Sequence, residues 1–89
     1  MRQKVFTVTD RFEIVRRGTV IVGEPPAAVP DIIDGSPIVL VTPEGREIVT
    51  EIGGTDWPTT VSGQRRIAFL IKKIDKKEIP VGTEVFRET

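Results

Sequence analysis

Residues 16–19 read Arg-Arg-Gly-Thr, two guanidinium groups beside a glycine and a hydroxyl, residue types that can hold a phosphate. Phosphate-binding loops use successive backbone N–H groups from a Gly-rich turn that opens a helix, together with a lysine followed by Ser or Thr. The chain contains no GxxxxGK[ST], and Gly18-Thr19 runs into Val20-Ile21-Val22, a β-branched sequence that favours a strand. Gly18 therefore reads as a bulge or bend where a strand changes course, and Gly23 as that strand's end. Neither GTP nor ATP is expected as a cofactor. Asp31, Asp34, Glu51 and Asp56 offer carboxylates for an acid pair, and Asp31, Asp34 and Ser36 offer oxygens for calcium. Acids scattered across Pro- and Gly-rich loops are ordinary on a protein surface, Asp and Ser do turn chemistry there, and the EF-hand spacing is missing. The chain has no histidine and no cysteine. That excludes imidazole bases, thiol nucleophiles, disulfides and His/Cys metal sites. Neither catalysis nor a bound metal is expected.

What remains is binding. Trp57 stands between Asp56 and Pro58, and two roles are open to it. It can cover one end of the core, or present an aromatic platform to a base or a partner side chain. Arg65 and Arg66, with Lys72, Lys73, Lys76 and Lys77, form the densest cationic cluster. Such a cluster can solvate an edge strand or contact nucleic acid. Net charge is zero but unevenly spread. Residues 1–23 carry five basic and two acidic groups, residues 24–56 one basic and seven acidic, and residues 57–89 seven basic and four acidic. Folding can gather these blocks into a basic and an acidic face.

The elements that must position these groups are strands. Phe6, Val8, Phe12 and Ile14 recur at even spacing, the pattern of a half-buried strand. The runs 19–22 and 38–41 are continuous, apolar and β-branched, which predicts strands covered on both faces. Pro43-Glu44-Gly45 predicts a hairpin turn, with a returning arm from Arg46 to Ile52. Residues 65–74 predict another strand, with Ile67, Phe69 and Ile71 on one face, and 84–86 a last short one. One helical turn is expected near 75–79, closed by Pro80. The segments 24–37 and 53–64, rich in Pro, Gly and Thr, read as connections. Six or seven short strands in 89 residues make one all-β domain spanning 1–89, and closure into a barrel would remove its edges. No apolar run approaches the roughly 20 residues that cross a bilayer, and the N-terminus alternates instead of carrying a signal-peptide block. The expected compartment is the cytoplasm.

The stretch "DRFEIVRRGTVIVG" (10–23) resembles the opening of the second, β-barrel domain of elongation factor Tu and related translational GTPases, D-x-F-x-I-x-x-R-G-T-V-x-x-G. Asp10, Phe12, Ile14, Arg17, Gly18, Thr19, Val20 and Gly23 match it. "AFLIKKIDKKEIPVGTEVF" (68–86) is similar to the family's closing segment. The resemblance implies a closed Greek-key barrel of about six strands. It also implies that Ile14, Arg17 and Val20 line or support a pocket for the terminal nucleotide of RNA, with Glu51 contacting its adenosine. Trp57, Arg65 and Arg66 would extend this patch. These 89 residues hold no nucleotide switch. The expected function is thus a non-enzymatic, stand-alone binding module contacting RNA, the ribosome or a translation factor. The alternative is a protein–protein interaction module that kept the barrel and lost RNA recognition.

Overall fold

The computed structural model describes residues 1–28 and 32–88, so the candidate carboxylate Asp31 lies outside it. Seven strands form: β1 (Arg2–Ile14), β2 (Gly18–Gly23), β3 (Pro37–Val41), β4 (Glu47–Glu51), β5 (Gly54–Asp56), β6 (Ile67–Lys72) and β7 (Glu84–Glu88). They pair antiparallel in one sheet, in the order β4-β3-β7-β1-β2-β6-β5. The fold is all-β, as the two-residue periodicity implies. The expected helical turn is a 3-10 turn at Lys76–Glu78, and the Asp75 carboxylate caps it by accepting from the Lys77 N–H at 3.0 Å. Among the described residues no helix is long and apolar enough to cross a membrane.

β1 organises the sheet because it serves two partners. Its first half pairs with β7 and its second half with β2. Two extra residues interrupt its register. Lys4 faces Phe86 and Phe6 faces Val85, which leaves Val5 as a bulge. Val8 faces Gly23 and Asp10 faces Val22, which leaves Thr9 as a second one. A single inserted residue moves every later side chain to the opposite face. Val5 and Phe6 are consequently both buried, at 2% and 3% exposure. Beyond Thr9, Phe12 and Ile14 stand on the outer face, 52% and 39% exposed. The expectation that they share an inner face with Phe6 and Val8 is corrected by that bulge.

The turn Val15–Arg17 is closed by the Arg17 N–H donating to the Ile14 carbonyl at 2.9 Å. Gly18 is therefore the first residue of the returning arm of a hairpin, not a bend within one strand. Its φ is +136°, and a Cβ there would stand 2.1 Å from the Ile71 carbonyl oxygen of β6. Glycine is required because the neighbouring backbone occupies the space. Gly23 ends β2 as expected, and it too is needed for close approach: a Cβ would meet Phe6 Cδ2 at 2.3 Å. β2 alternates, with Thr19 and Ile21 buried and Val20 and Val22 half-buried, so its outer face is not covered as its composition predicts. β3 does bury Ile38, Val39 and Leu40 in succession.

The hairpin after β3 spans Thr42 to Arg46. The Thr42 N–H donates to the Arg46 carbonyl at 2.9 Å, and the Arg46 N–H donates to Thr42 Oγ1 at 3.0 Å. Arg46 thus belongs to the turn, and the returning strand starts at Glu47. The segment 53–64, expected to be a plain connection, contains β5. β4 and β5 occupy opposite ends of the strand order, yet only Ile52 and Gly53 separate them in the chain. The Ile52 N–H donates to the Ser36 carbonyl at 3.0 Å, and the Gly53 N–H donates to the Leu70 carbonyl at 2.7 Å. β6 is shorter than expected, with Arg65 and Arg66 before it and Lys73 and Ile74 after it.

Ile21, Leu40, Ile52, Phe69, Ile71 and Val85 fill the core at 1% exposure or less. Phe6 meets Phe69 edge-on, with centroids 5.2 Å apart. Two buried hydroxyls tie loops to this core. Thr19 Oγ1 donates to the Ile74 carbonyl at 2.8 Å, and Thr83 Oγ1 to the Pro80 carbonyl at 2.7 Å. Outside, Arg2 pairs with Glu47 at 2.8 Å and Glu88 at 3.3 Å, and Lys4 with Glu84 at 3.1 Å. The hydrogen bond from Arg2, and then its charge, hold the Glu47 carboxyl below its ordinary value of 4.5.

Two expectations follow. Gly18→Ala should destabilise the protein by about 3 kcal/mol, combining a positive φ with a backbone clash. Gly45→Ala, also at positive φ (+90°) but with open space around it, should cost about 1 kcal/mol. Urea unfolding of the two variants measures the difference. Because the folded carboxyl value of Glu47 is depressed, its contribution is complete above 4.5 and is lost as pH falls through the lowered value. A carboxyl-detected NMR titration should find the Glu47 midpoint below 4.5, returning upward in Arg2→Ala.

Candidate functional site

Strand pairing arranges the outer face of β1, β2, β6 and β5 into three cross-strand rows. In the first, Asp10 faces Val22, Val22 faces Ala68, and Ala68 faces Asp56. The second runs Phe12, Val20, Leu70, Gly54. The third runs Ile14, Gly18, Lys72. Side chains of paired residues lie side by side on one face. The face therefore grades from carboxylates, through an apolar middle, to a cation.

The middle row is the floor of a furrow. Phe12, Val20 and Leu70 form it, and Gly54, lacking a side chain, leaves it open toward β5. Asp56 and Pro58 wall this hollow of about 410 Å³. It continues past Phe12 and Val22 toward Thr60 and Arg66. In the other direction Leu70 is shared with a hollow lined by Arg16, Arg17, Gly53, Lys72 and Lys73. The same arginines and Lys73 line a further hollow with Glu13, Ile14 and Ile74.

The sequence candidates are distributed unevenly along this furrow. Ile14, Arg17 and Val20 line it, and Arg66 lines its extension. Arg66 is half-held there, 3.8 Å from a Glu24 carboxylate oxygen and donating to Gln64 Oε1 at 2.9 Å. Glu51 is exposed at the end of β4, opposite Pro37, and is not among the residues lining these hollows. Trp57 is half-buried and rests against the core, while its neighbours Asp56 and Pro58 face the furrow. The Arg65 guanidinium lies over the Trp57 ring, 5.4 Å from its centroid. Trp57 and Arg65 thus form a stacked pair apart from the furrow. The acids named from the sequence also do local work. Asp56 Oδ1 accepts from the Trp57 N–H at 2.8 Å, and Asp34 Oδ1 accepts from the Thr55 hydroxyl at 3.4 Å. Ser36 Oγ accepts from the Ile33 N–H at 3.3 Å.

No protein-family model matches the chain, and no curated protein matches it. The furrow's chemistry must then speak for itself. Several of its residues escape the sequence candidates. Leu70 was within reach of the sequence: Ile67, Phe69 and Ile71 on the inner face leave Leu70 on the outer one. Phe12 required knowledge of the Thr9 bulge. Arg16 and Lys73 were marked by charge alone, in the Arg16-Arg17 pair and in the cationic cluster, with no signal that joins them to one hollow.

Since Trp57 rests on the core, Trp57→Ala should destabilise by about 2 kcal/mol, and Arg65→Ala by less than about 1 kcal/mol. Thermal melts with tryptophan emission as a second probe check both. The Arg65 variant should shift the emission without unfolding the chain.

Proposed function

We propose that the protein is a non-enzymatic binding module of the elongation factor Tu second-domain kind, and that its outer furrow seats the end of a single-stranded RNA in the translation apparatus. Under this reading the seven-stranded sheet is rolled into a closed barrel. Support comes from Ile52 and Gly53, consecutive residues whose N–H groups bond to opposite sides of the strand order. Rolling also leaves no long edge open to association.

The observation that carries the functional reading is the grading of the furrow. Phe12, flanked by Val20 and Leu70, suits the face of an unstacked base, and stacking on an aromatic ring is sequence-tolerant and worth about 1–3 kcal/mol per base. Arg17 and Lys72 at the end of that row suit the phosphates flanking the base. Asp56, at the other end, can accept a hydrogen bond from an exocyclic amine or a ribose hydroxyl. Ile14, Arg17 and Val20, which the family resemblance marks for a terminal nucleotide, all line this furrow. Glu51 has no part in it, so the adenosine contact that the resemblance implies is reassigned here to Asp56. The fold fixes none of this by itself; the reading rests on the chemistry of the site.

The test is fluorescence anisotropy with a labelled single-stranded RNA of about eight nucleotides. With three phosphates engaged, the slope of log affinity against log salt should be about −2. Leu70→Glu, with an unchanged circular dichroism spectrum, should weaken binding at least tenfold, consistent with loss of one stacked base. If the wild type binds no RNA while Leu70→Glu abolishes capture of a defined protein partner, the RNA reading fails and the protein-interaction reading replaces it.

A further inference from the structure

Two non-glycine residues have positive φ among the described residues: Arg16 at 68° and Lys73 at 63°. Both are cations, and both line the same hollow at the hairpin end of the furrow. Arg16 occupies the third position of the turn from Ile14 to Arg17, where a positive φ ordinarily selects Gly or Asn. Lys73 occupies the residue after β6. A bulky side chain in this conformation carries strain, and surrounding structure must over-determine it.

The neighbouring cations also lack partners among the described residues, as do the Lys76 and Lys77 side chains outside this hollow. Arg2, Lys4, Arg46 and Arg66 each face a carboxylate. Among the described residues, the side chains of Arg16, Arg17, Lys72 and Lys73 have no ion-pair or hydrogen-bond partner. All four line one hollow, beside which Gly18 faces Lys72 across the β2–β6 ladder with no side chain to hold the strands apart. Gly53 does the same on the other flank: a Cβ there would meet Lys72 Cγ at 2.9 Å. Glu13 is the one acid lining these two hollows. Four like charges lining one hollow repel one another, in a chain with as many acidic as basic groups to distribute.

We propose that the hairpin end of the furrow is a phosphate-dianion subsite formed by Arg16, Arg17, Lys72 and Lys73. It deepens the RNA reading by adding a place for a terminal phosphate of the strand, and it also accommodates free pyrophosphate. The guanidinium forks of Arg16 and Arg17 donate paired N–H groups to phosphate oxygens, and the two ammonium groups neutralise the remaining charge. The left-handed turns hold Arg16 and Lys73 toward one anion.

Glycine substitution separates binding from architecture. Arg16→Gly/Lys73→Gly relieves the positive-φ strain and removes two of the four cations. It should raise the melting temperature and lower pyrophosphate affinity at least tenfold, measured by NMR titration of backbone amides. Arg16→Lys, which keeps the charge and loses the fork, should bind pyrophosphate more weakly than wild type and more tightly than the glycine variant. A melting temperature that rises with unchanged pyrophosphate affinity would overturn the subsite, as would absence of saturable wild-type binding up to about 10 mM, the weak end of useful affinity. The RNA arm uses one strand with and without a 5′ or 3′ terminal phosphate. If both forms bind equally and the glycine variant binds them like wild type, the subsite falls while the furrow stands. If pyrophosphate binds and neither RNA does, the subsite stands and the RNA reading falls.

Discussion

An extra residue in β1, Thr9 between Val8 and Asp10, turns the strand over, and much of the molecule depends on that turn. Before it, Phe6 and Val8 face inward and build the core with Phe69 and Ile21. After it, Phe12 and Ile14 face outward and meet Val20 on the hairpin's second arm. One strand thus supplies both the core and the outer furrow. The bulge is held where it is by Gly23, whose missing side chain admits the Phe6 ring and the Thr7 carbonyl. Any side chain at 23 would push β2 from β1 at the point where the pairing changes phase.

The second constraint is the passage from β4 to β5. Ile52 is buried in the core, and the chain cannot shift there without opening a cavity. Its neighbour Gly53 hands the backbone to β6 and leaves room for the Lys72 stem. Core packing and the position of a furrow cation are therefore set by adjacent residues. Thr19 adds to this arrangement, since its hydroxyl fixes the Ile74 carbonyl and with it the turn that carries Lys73.

The strands were largely legible because β-branched runs and two-residue alternation record burial directly, and because Pro43-Glu44-Gly45 specifies its turn chemically. The bulges were not, since Val5 and Thr9 differ in no local property from their neighbours; the partner strands define them. β5 escaped notice because Gly54-Thr55-Asp56 has no apolar side chain, its pairing being made by backbone alone. The candidate site shows the same division. Ile14, Arg17 and Val20 were marked by a resemblance along the hairpin; Ile14 and Arg17 line one hollow and Val20 another. Glu51 was joined to them by the same resemblance, and Trp57 and Arg65 as extensions of the patch; Glu51 ends β4 away from these hollows, and Trp57 and Arg65 stack on each other. Whether Trp57 turns inward depends on the tertiary packing at the core's margin, which no local pattern encodes.

Gly54 ends the apolar row, and the fold has little need of a glycine there. A Cβ at this position would touch Leu70 Cβ at 3.7 Å, an ordinary contact, and its backbone lies outside the positive-φ region. Unlike Gly18 and Gly23, it is free to vary. Alanine, serine or valine at 54 would shorten the furrow in graded steps while leaving the strand pairing intact. Ligand size is thereby uncoupled from foldability: a single tolerant position acts as an adjustable stop for what the face can accommodate.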